Sequence, residues 1–455
     1  MGGYEKWADV PFGGELEADS AIVLPSLSVT MRGSTLVMPY NYIPFFKAPA
    51  QDPDLGEGDS PGREEWRPGH YSGEIQLVWR AERPLIVAEL SGETPVGVDG
   101  IGVYDVPCDP EGRPRVQGTA TRGPLRNLFA AVTGSRLDAP PQEKPLTYRD
   151  GNGRLGYPKA PVDLLPTDLL PPKSPSEMSP VQRVFGTVQE AATPFERASL
   201  IEFGDLECDN EQLPQPGGPW TLAIQGQPKP TYGRFTLVHQ NGSMTGVGKT
   251  DLFQEFHRLA GRGVWLHHAT APARPPTDGW AYPAKTEGGR SYLATPGANH
   301  TQVIQISGWI PPGAEFRQRL TFTNLKPREF GALLWLVDKP SYHHIGRMRG
   351  FGFGSVTVRR TSATAFTGES KRQSLLSLRS SGTACSEANL GELVNDFDSW
   401  LSTASPDVRH SVLVASQPFP SVRYPTLPEY TAAEKPGSRP SRPRLSSRGA
   451  PNAGR

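Results

Sequence analysis

The amino-acid sequence predicts an α+β fold in which strands and amphipathic helices follow one another as strand, helix, strands, strand, helix, strand. Apolar residues alternate over residues 75–79, as in a half-buried strand. They recur every three to four residues in later segments, as on one face of a helix. The 49 Gly and 48 Pro make up roughly a fifth of the 455 residues, which favours short elements joined by long loops. Together these observations predict a ferredoxin-like βαββαβ core with large loop-rich insertions.

Helix boundaries can be read from the spacing of apolar residues and from Pro and Gly. Residues 125–132 place apolar side chains at i, i+3, i+4 and i+7, and Gly134 provides the stop signal. Residues 330–337 repeat this spacing, with Pro327 well placed at a helix start. The pattern over residues 390–401 predicts a further amphipathic helix.

Strand-like runs account for most of the remaining apolar residues. Their short length and β-branched or aromatic content are typical of strands bounded by turns. They cover residues 22–29, 35–39, 75–79, 199–206, 234–239, 301–310, 316–323 and 353–360.

Changes in composition divide the chain into segments. The last 21 residues hold six basic residues and no acidic ones, which predicts a disordered basic tail. The predicted segments are an N-terminal extension with an acidic linker (1–70), the first part of the core (71–137), an insertion region with additional strands (138–300), the second part of the core with a Gly-rich loop (301–365), a C-terminal helical extension (366–430) and the basic tail (431–455).

The charge of the chain is balanced overall but uneven along its length. The totals of 47 Lys+Arg and 47 Asp+Glu argue against a histone-like nucleic-acid binder. Residues 301–380, however, hold 12 basic and 4 acidic residues. Such a local excess is typical either of a face that contacts phosphate or of a solvated charged face.

Other features indicate an intracellular protein. The longest apolar run, near residues 333–337, is far shorter than the ~20 residues of a membrane span. The N-terminus is acidic and polar, so no secretory signal is visible. The scattered Cys108, Cys208 and Cys385 form neither a disulfide framework nor a metal-binding spacing. We therefore expect a cytoplasmic location, no membrane contact and no structural metal.

The first candidate site is the helix start GTATRGPLR, residues 118–126. A helix N-terminus exposes unpaired backbone N–H groups and the positive end of the helix dipole. Arg122 and Arg126 lie four residues apart, so they share one face of the helix. With Gly118 and Thr121 they predict a phosphate site, and an ordinary helix with surface arginines is the alternative.

The second candidate site is a glycine-rich loop between a helix and a strand. Glycines allow the backbone to adopt positive φ and to approach a ligand closely, and turned N–H groups can hold phosphate. The loop precedes a strand and lacks the G-x-G-x-x-G spacing, which excludes a dinucleotide fold. Its glycines and arginines are Gly346, Arg347, Arg349, Gly350, Gly352 and Gly354.

These two segments, together with MPYNYIPF at residues 38–45, resemble the CRISPR-associated RAMP superfamily, whose members build type III effector complexes. A RAMP helix start similar to GTATRGPLR follows the first strand, and a helix similar to REFGALLWLVD leads into a loop similar to IGRMRGFGFGSV. VQRVFG and SVRYP also resemble one RAMP family of this length, although residues 119–121 replace its usual two serines and apolar residue. The resemblance implies a subunit that grips guide RNA by its backbone, with target RNA and other effector subunits as partners.

Some subunits of this superfamily also cut target RNA with an aspartate in the loop after the first strand. The resemblance points to Asp99 for this role, with Asp105 and Asp109 as alternatives. Such an aspartate could bind a divalent metal ion or position the attacking 2′-hydroxyl. Asp-Gly and Asp-Pro pairs are also ordinary turn formers, so a turn role stays open for each of the three. Apart from that metal ion, no cofactor is expected.

Two alternative functions compete with this interpretation. Residues 235–259 mimic a P-loop NTPase, with Lys249-Thr250 before a helix, but Ser243 stands where the first glycine belongs. Asp338 lies on a segment with helical periodicity, whereas an NTPase would hold magnesium from a strand.

The adjacent histidines suggest the second alternative, a stand-alone metal-independent endoribonuclease that processes guide RNA. His343 or His344 would act as its general base. A partly buried structural histidine is the competing interpretation. Neighbours on a strand point to opposite faces, so neither this pair nor His267-His268 predicts a metal site.

Overall fold

The computed structural model describes residues 29–31, 34–36, 39–87, 103–139, 148–149, 155–156, 161–190, 193–208, 215–221, 237–239, 257–269, 305–378, 384–419 and 422. Several sequence predictions lie outside these residues. They include Asp99, the Lys249-Thr250 loop, most of the predicted strand at 22–29 and the basic tail at 431–455.

The strands are numbered β1 to β22 in chain order. They are Val29–Met31, Ser34–Leu36, Tyr40–Ile43, Tyr71–Ala81, Val103–Tyr104, Arg115–Val116, Tyr148–Arg149, Leu155–Gly156, Thr187–Gln189, Phe195–Arg197, Ile201–Phe203, Leu206–Cys208, Gln215–Thr221, Leu237–His239, His257–Leu259, Arg262–Trp265, His267–His268, Gln305–Trp309, Glu315–Leu325, His343–His344, Ser355–Thr367 and Pro418–Phe419.

The α-helices are numbered α1 to α6 in the same way. They are Thr119–Val132, Pro180–Phe185, Pro327–Asp338, Gly368–Leu376, Glu387–Ala404 and Pro406–Ala415. Short 3-10 helices cover Pro161–Leu164, Thr167–Leu169, Pro175–Glu177 and Arg349–Phe351.

The largest sheet has the strand order β20, β21, β4, β19, β12, β6, and β11 also pairs with β19. Each pair of neighbours in this sheet runs antiparallel. Strand β4 lies in the middle, where Leu77 stands opposite Gln318 on one side and Arg360 on the other. This sheet and the helices packed on it confirm the α+β prediction.

Side-chain alternation along the central strands separates the buried face from the solvent. Ile75, Leu77 and Trp79 are buried on β4, as their spacing predicts. On β19, Phe316 is buried and the neighbouring Arg317 is exposed. The sheet therefore has one covered face and one face that carries charged side chains.

Helices α1, α3 and α5 contribute to the same hydrophobic core as the sheet. Phe129 of α1 is fully buried, and Phe330 of α3 packs on Phe322 of the sheet with ring centroids 4.5 Å apart. Phe397 of α5 meets Trp335 of α3 edge-on at 6.1 Å. The helices thus cover one side of the sheet, and α5 lies against α3.

The predicted helices are confirmed with small changes in their bounds. Helix α1 is followed by Gly134 at φ +58°, a left-handed residue of the kind that commonly ends helices. Pro327 is the first residue of α3, and α5 contains the predicted residues 390–401. Sequence patterns missed α2, α4 and α6, which have 6, 9 and 10 residues and are too short for a clear period.

Smaller sheets bring distant segments to the edge of this core. Strand β3, from the MPYNYIPF segment, pairs with β16, and β17 pairs with β22. These ladders position residues 262–268 beside β20 and the glycine-rich loop. Among the described residues, no helix is both long and apolar enough to cross a lipid bilayer.

Candidate nucleic-acid interface

A cleft of about 600 Å³ brings the two candidate segments of the sequence together. One part of its lining comes from the first turns of α1, including Thr119 and Gly123. Another part comes from the glycine-rich loop, including Arg347 and Arg349, and β16 adds Trp265. Because these segments are far apart in the chain, only the folded structure shows that they share one concave surface.

The charge of this cleft is wholly positive among the described residues. Its charged lining residues are Arg347 and Arg349, and no Asp or Glu lines it. Arg347 is exposed, and its guanidinium lies 5.7 Å from the ring centroid of Tyr104. Arg349 is partly buried, and its Nε donates to the carbonyl of Gly346 at 3.0 Å. A concave surface with cations and without carboxylates favours anionic ligands.

The glycines of the loop are explained by contacts within the chain. Gly346, Gly352 and Gly354 all have φ between +76° and +88°. A Cβ on Gly354 would lie 2.0 Å from the carbonyl oxygen of Ile345, and one on Gly352 would press on the ring of His268. These close approaches require glycine whether or not a ligand binds. Gly350 belongs to a single 3-10 turn and is buried.

The positive end of α1 already holds a carboxylate of the protein. The N–H of Gly118 donates to Oδ1 of Asp205 at 3.0 Å, and this bond, with Arg115, keeps the pKa of Asp205 below its usual value. Thr121 is fully buried, where its hydroxyl donates to the carbonyl of Gly118 and accepts from Gln318. Gly118 and Thr121 therefore position the helix on the sheet, and the predicted phosphate position is occupied by Asp205.

Arg122 and Arg126 face a second cleft of about 330 Å³, whose described lining shares no residue with the first. Both guanidinium groups donate to the carbonyl of Phe185, and Arg126 also donates to that of Gly186 at 3.0 Å. Arg126 forms an ion pair with Asp138 at 2.7 Å. The two arginines thus bind the C-terminal carbonyls of α2, which have no partner inside that helix.

These contacts change the expected behaviour of the double variant Arg122→Ala/Arg126→Ala. The sequence alone predicts little effect on stability, since it places both side chains on an exposed face. With the carbonyls of α2 left without donors, we expect the free energy of unfolding to fall by roughly 1–3 kcal/mol. Urea unfolding measures this change, with the exposed Arg372→Ala on α4 as the control. Equal stability of wild type and double variant would show that these hydrogen bonds to the end of α2 do not stabilise the fold.

The aspartate candidates differ in their surroundings. Asp109 closes a turn, accepting from the backbone N–H of Arg113 at 2.8 Å and from its Nε at 2.7 Å. This matches the turn role that the sequence left open. Asp105 is exposed, accepts from the hydroxyl of Ser307, and follows Tyr104, on which Arg347 lies. Neither aspartate is among the described residues that line the cleft, and Asp105 is the one that follows a residue in contact with Arg347.

The two histidine pairs meet in the interior, which sequence reasoning missed. The rings of His267 and His344 stack with centroids 3.8 Å apart and planes 3° from parallel. Nδ1 of His267 lies 2.8 Å from the hydroxyl of Ser355. Neither ring nitrogen of His343 or His344 forms a hydrogen bond of normal geometry. No sequence signal indicates this cluster, because its pairs lie on separate strands.

Burial keeps these histidines uncharged. It lowers the pKa of His267 to about 3 and those of His268 and His343 to about 4, and the pKa of His344 falls well below its ordinary value. At neutral pH such rings are weak bases, which does not favour the processing-endoribonuclease alternative. His267, His343 and His344 instead form an uncharged part of the cleft lining.

The remaining alternatives find no support in the described residues. Asp338 ends helix α3 and its carboxylate pairs with Arg360 at 3.4 Å, so it does not lie on a magnesium-holding strand. Among these residues no group of three or more His, Cys, Asp or Glu is arranged to hold a metal ion. Cys108, Cys208 and Cys385 form no disulfide bond.

No protein-family model and no curated protein matches this chain. Among solved structures, a chain of a Type IV-B CRISPR complex is similar with 14% identity and a TM-score of 0.26, covering 64% of this chain and 90% of its own length. Csc2 of Thermofilum pendens is similar with 12% identity and a TM-score of 0.30, covering 77% of this chain and 87% of its own length.

Proposed function

We propose that this protein is an RNA-binding subunit of a CRISPR type III-like effector complex and that it grips guide RNA by its backbone. The observation that carries the proposal is the cleft of about 600 Å³, whose described lining holds two arginines and no Asp or Glu. It unites the helix start and the glycine-rich loop, the two segments that resemble RAMP proteins, and presents Arg347 and Arg349 within one concave surface. Phosphate charges supply most of the affinity of such sequence-independent RNA contacts.

We further propose a ferredoxin-like core for this subunit. The elements β4, α1, β11 with β12, β19, α3 and β21 follow one another as βαββαβ. In the sheet, the last of these strands, β21, lies beside the first, β4. On its other side β4 pairs with the third, β19, and β19 pairs with the second, β11 and β12. Antiparallel pairing throughout this set supports the proposal.

Within the cleft, the exposed Arg347 is the proposed phosphate contact. Its backbone N–H donates to the carbonyl of Ile86 at 2.9 Å, so the base of its side chain is fixed while the guanidinium reaches the surface. Arg349 lies deeper and supports the loop through Gly346. Contacts to phosphate position RNA without reading its sequence, as a subunit that carries many different guides requires.

The wider assembly is part of the same proposal. Target RNA pairs with the bound guide, and other effector subunits complete the complex in the cytoplasm. Cleavage of the target stays a prediction for Asp99, which lies outside the described residues. Of the alternatives Asp105 and Asp109, we favour Asp105, because it is exposed and follows Tyr104, on whose ring Arg347 lies.

Arg347→Ala is expected to weaken binding of single-stranded RNA to a similar extent for unrelated sequences. Loss of one phosphate contact should also flatten the dependence of log affinity on log salt by about 0.7. Filter binding at several salt concentrations measures both quantities. Because Arg347 is exposed, the melting temperature should hardly change.

Two controls accompany this experiment. Arg347→Lys keeps the charge and should keep the salt slope, whereas Arg372→Ala removes an exposed arginine of α4 outside the cleft and should change neither quantity. If Arg347→Ala bound RNA with the affinity and slope of wild type, the cleft would not be the RNA-binding site.

A further inference from the structure

Part of the cleft lining is aromatic, and its largest side chain, that of Trp265, packs on a tyrosine. Trp265 lies on β16, is half-buried and is one of the residues that line the cleft. Its backbone pairs with Tyr40 of β3, and the Tyr40 ring meets the indole edge-on at 5.8 Å and 79°. A strand ladder thus positions the backbone of Trp265, and a buried tyrosine packs against its indole.

The cleft is also lined by other rings. The stacked rings of His267 and His344 contribute to the same lining, and Tyr342 lies 5.6 Å from His267. Aromatic rings beside cations, with no carboxylate among the described lining residues, are the combination by which proteins bind unpaired nucleic acid. Paired bases inside a duplex present no free face to such a surface.

We propose that the cleft holds one unstacked nucleotide of the bound RNA, with its base on the indole of Trp265 and its phosphate on the guanidinium of Arg347. This inference rests on the proposed function and specifies its ligand as an unpaired nucleotide. The cleft volume of about 600 Å³ lies within the range of pockets that enclose small organic ligands. Stacking on an indole accepts every base, so this contact adds affinity without sequence preference.

The test compares two substitutions of Trp265 in the full chain. Trp265→Leu keeps an apolar side chain on the strand but removes the aromatic face, and it should weaken binding of a single-stranded RNA oligonucleotide by about tenfold. Trp265→Phe keeps an aromatic face and should retain most of the affinity. The salt slope should stay at the wild-type value in both, because a base contact releases no counterion. Trp66→Leu, exposed and outside the cleft, is the matched control.

The outcomes separate this inference from the function on which it rests. Wild-type affinity of Trp265→Leu, together with weakened binding by Arg347→Ala, would overturn the stacked nucleotide and leave the RNA-binding role intact. Wild-type affinity of both variants would overturn both proposals. Equal losses in Trp265→Phe and Trp265→Leu would assign the effect to packing and also overturn the stacked nucleotide. Thermal melting of each variant shows whether it is folded.

Discussion

Arg183→Met is expected to lower the free energy of unfolding by about 3–5 kcal/mol. The side chains of Arg183 and Glu329 are fully buried, and Nη2 lies 2.7 Å from Oε1. Arg183 also donates to the backbone carbonyls of Asp54, Gly56 and Met178, each within 2.9 Å. Methionine would leave the carboxylate without its cation and the carbonyls without these donors. The arginine of VQRVFG thus joins α2, α3 and the loop before β4.

Urea unfolding measures this loss, and a surface ion pair provides the matched control. Arg319 pairs with Glu74 across the open face of the sheet, with 63% of the arginine side chain exposed. Arg319→Met should change the free energy of unfolding by less than about 1 kcal/mol, since exposed pairs contribute little. Equal small effects at both positions would contradict the view that Arg183 holds these elements together.

Acidification below about pH 6.5 is expected to destabilise the protein steeply. The folded-state pKa values of about 3 for His267 and about 4 for His268 and His343 lie below the ordinary value of 6.5. Between these limits the unfolded chain binds protons that the folded chain does not, so stability falls as pH falls. Each such histidine contributes about 1.4 kcal/mol per pH unit. The pKa of His344 is lowered in the same direction. We therefore expect this histidine cluster to dominate the pH dependence of the free energy of unfolding between pH 6.5 and about 4.5.

Urea unfolding at several pH values between 7.5 and 5 measures this dependence. His343→Gln removes one titrating group and should reduce the slope of stability against pH. His410→Gln changes a histidine of α6 outside the cluster and serves as the control for the substitution itself. A free energy of unfolding that stays constant from pH 7.5 to 5 would show that the histidines are not buried as the structure has them.

Much of the secondary structure follows from local patterns in the sequence. Residues 330–337 repeat apolar side chains at helical spacing, and Pro327 has the fixed φ of a first helical residue, so α3 begins where expected. Gly134 takes the left-handed conformation after α1 because it has no Cβ. Such signals act over a few residues and need no partner from elsewhere in the chain.

The excess of basic residues over 301–380 cannot be interpreted from the sequence alone, because some of these residues form ion pairs with acidic residues elsewhere in the chain. Arg328 pairs with Asp52 at 3.0 Å, and Arg360 pairs with Glu387 at 2.7 Å. The acidic linker and α5 thus supply carboxylates to arginines that look unpaired in sequence. Within the cleft, Arg347 and Arg349 meet no acidic lining residue in the described part of the chain.

Local sequence patterns predict the α+β class, the three long helices and the two candidate segments, which the fold then brings to one cleft. These depend on periodicity, capping residues and glycine positions, which act locally. Only the folded chain shows that Arg122 and Arg126 bind carbonyls at the end of α2, outside this cleft. It also shows that Trp265 and three histidines line the cleft together with Arg347. The direction of a side chain depends on the elements packed around it, and those come from remote parts of the chain.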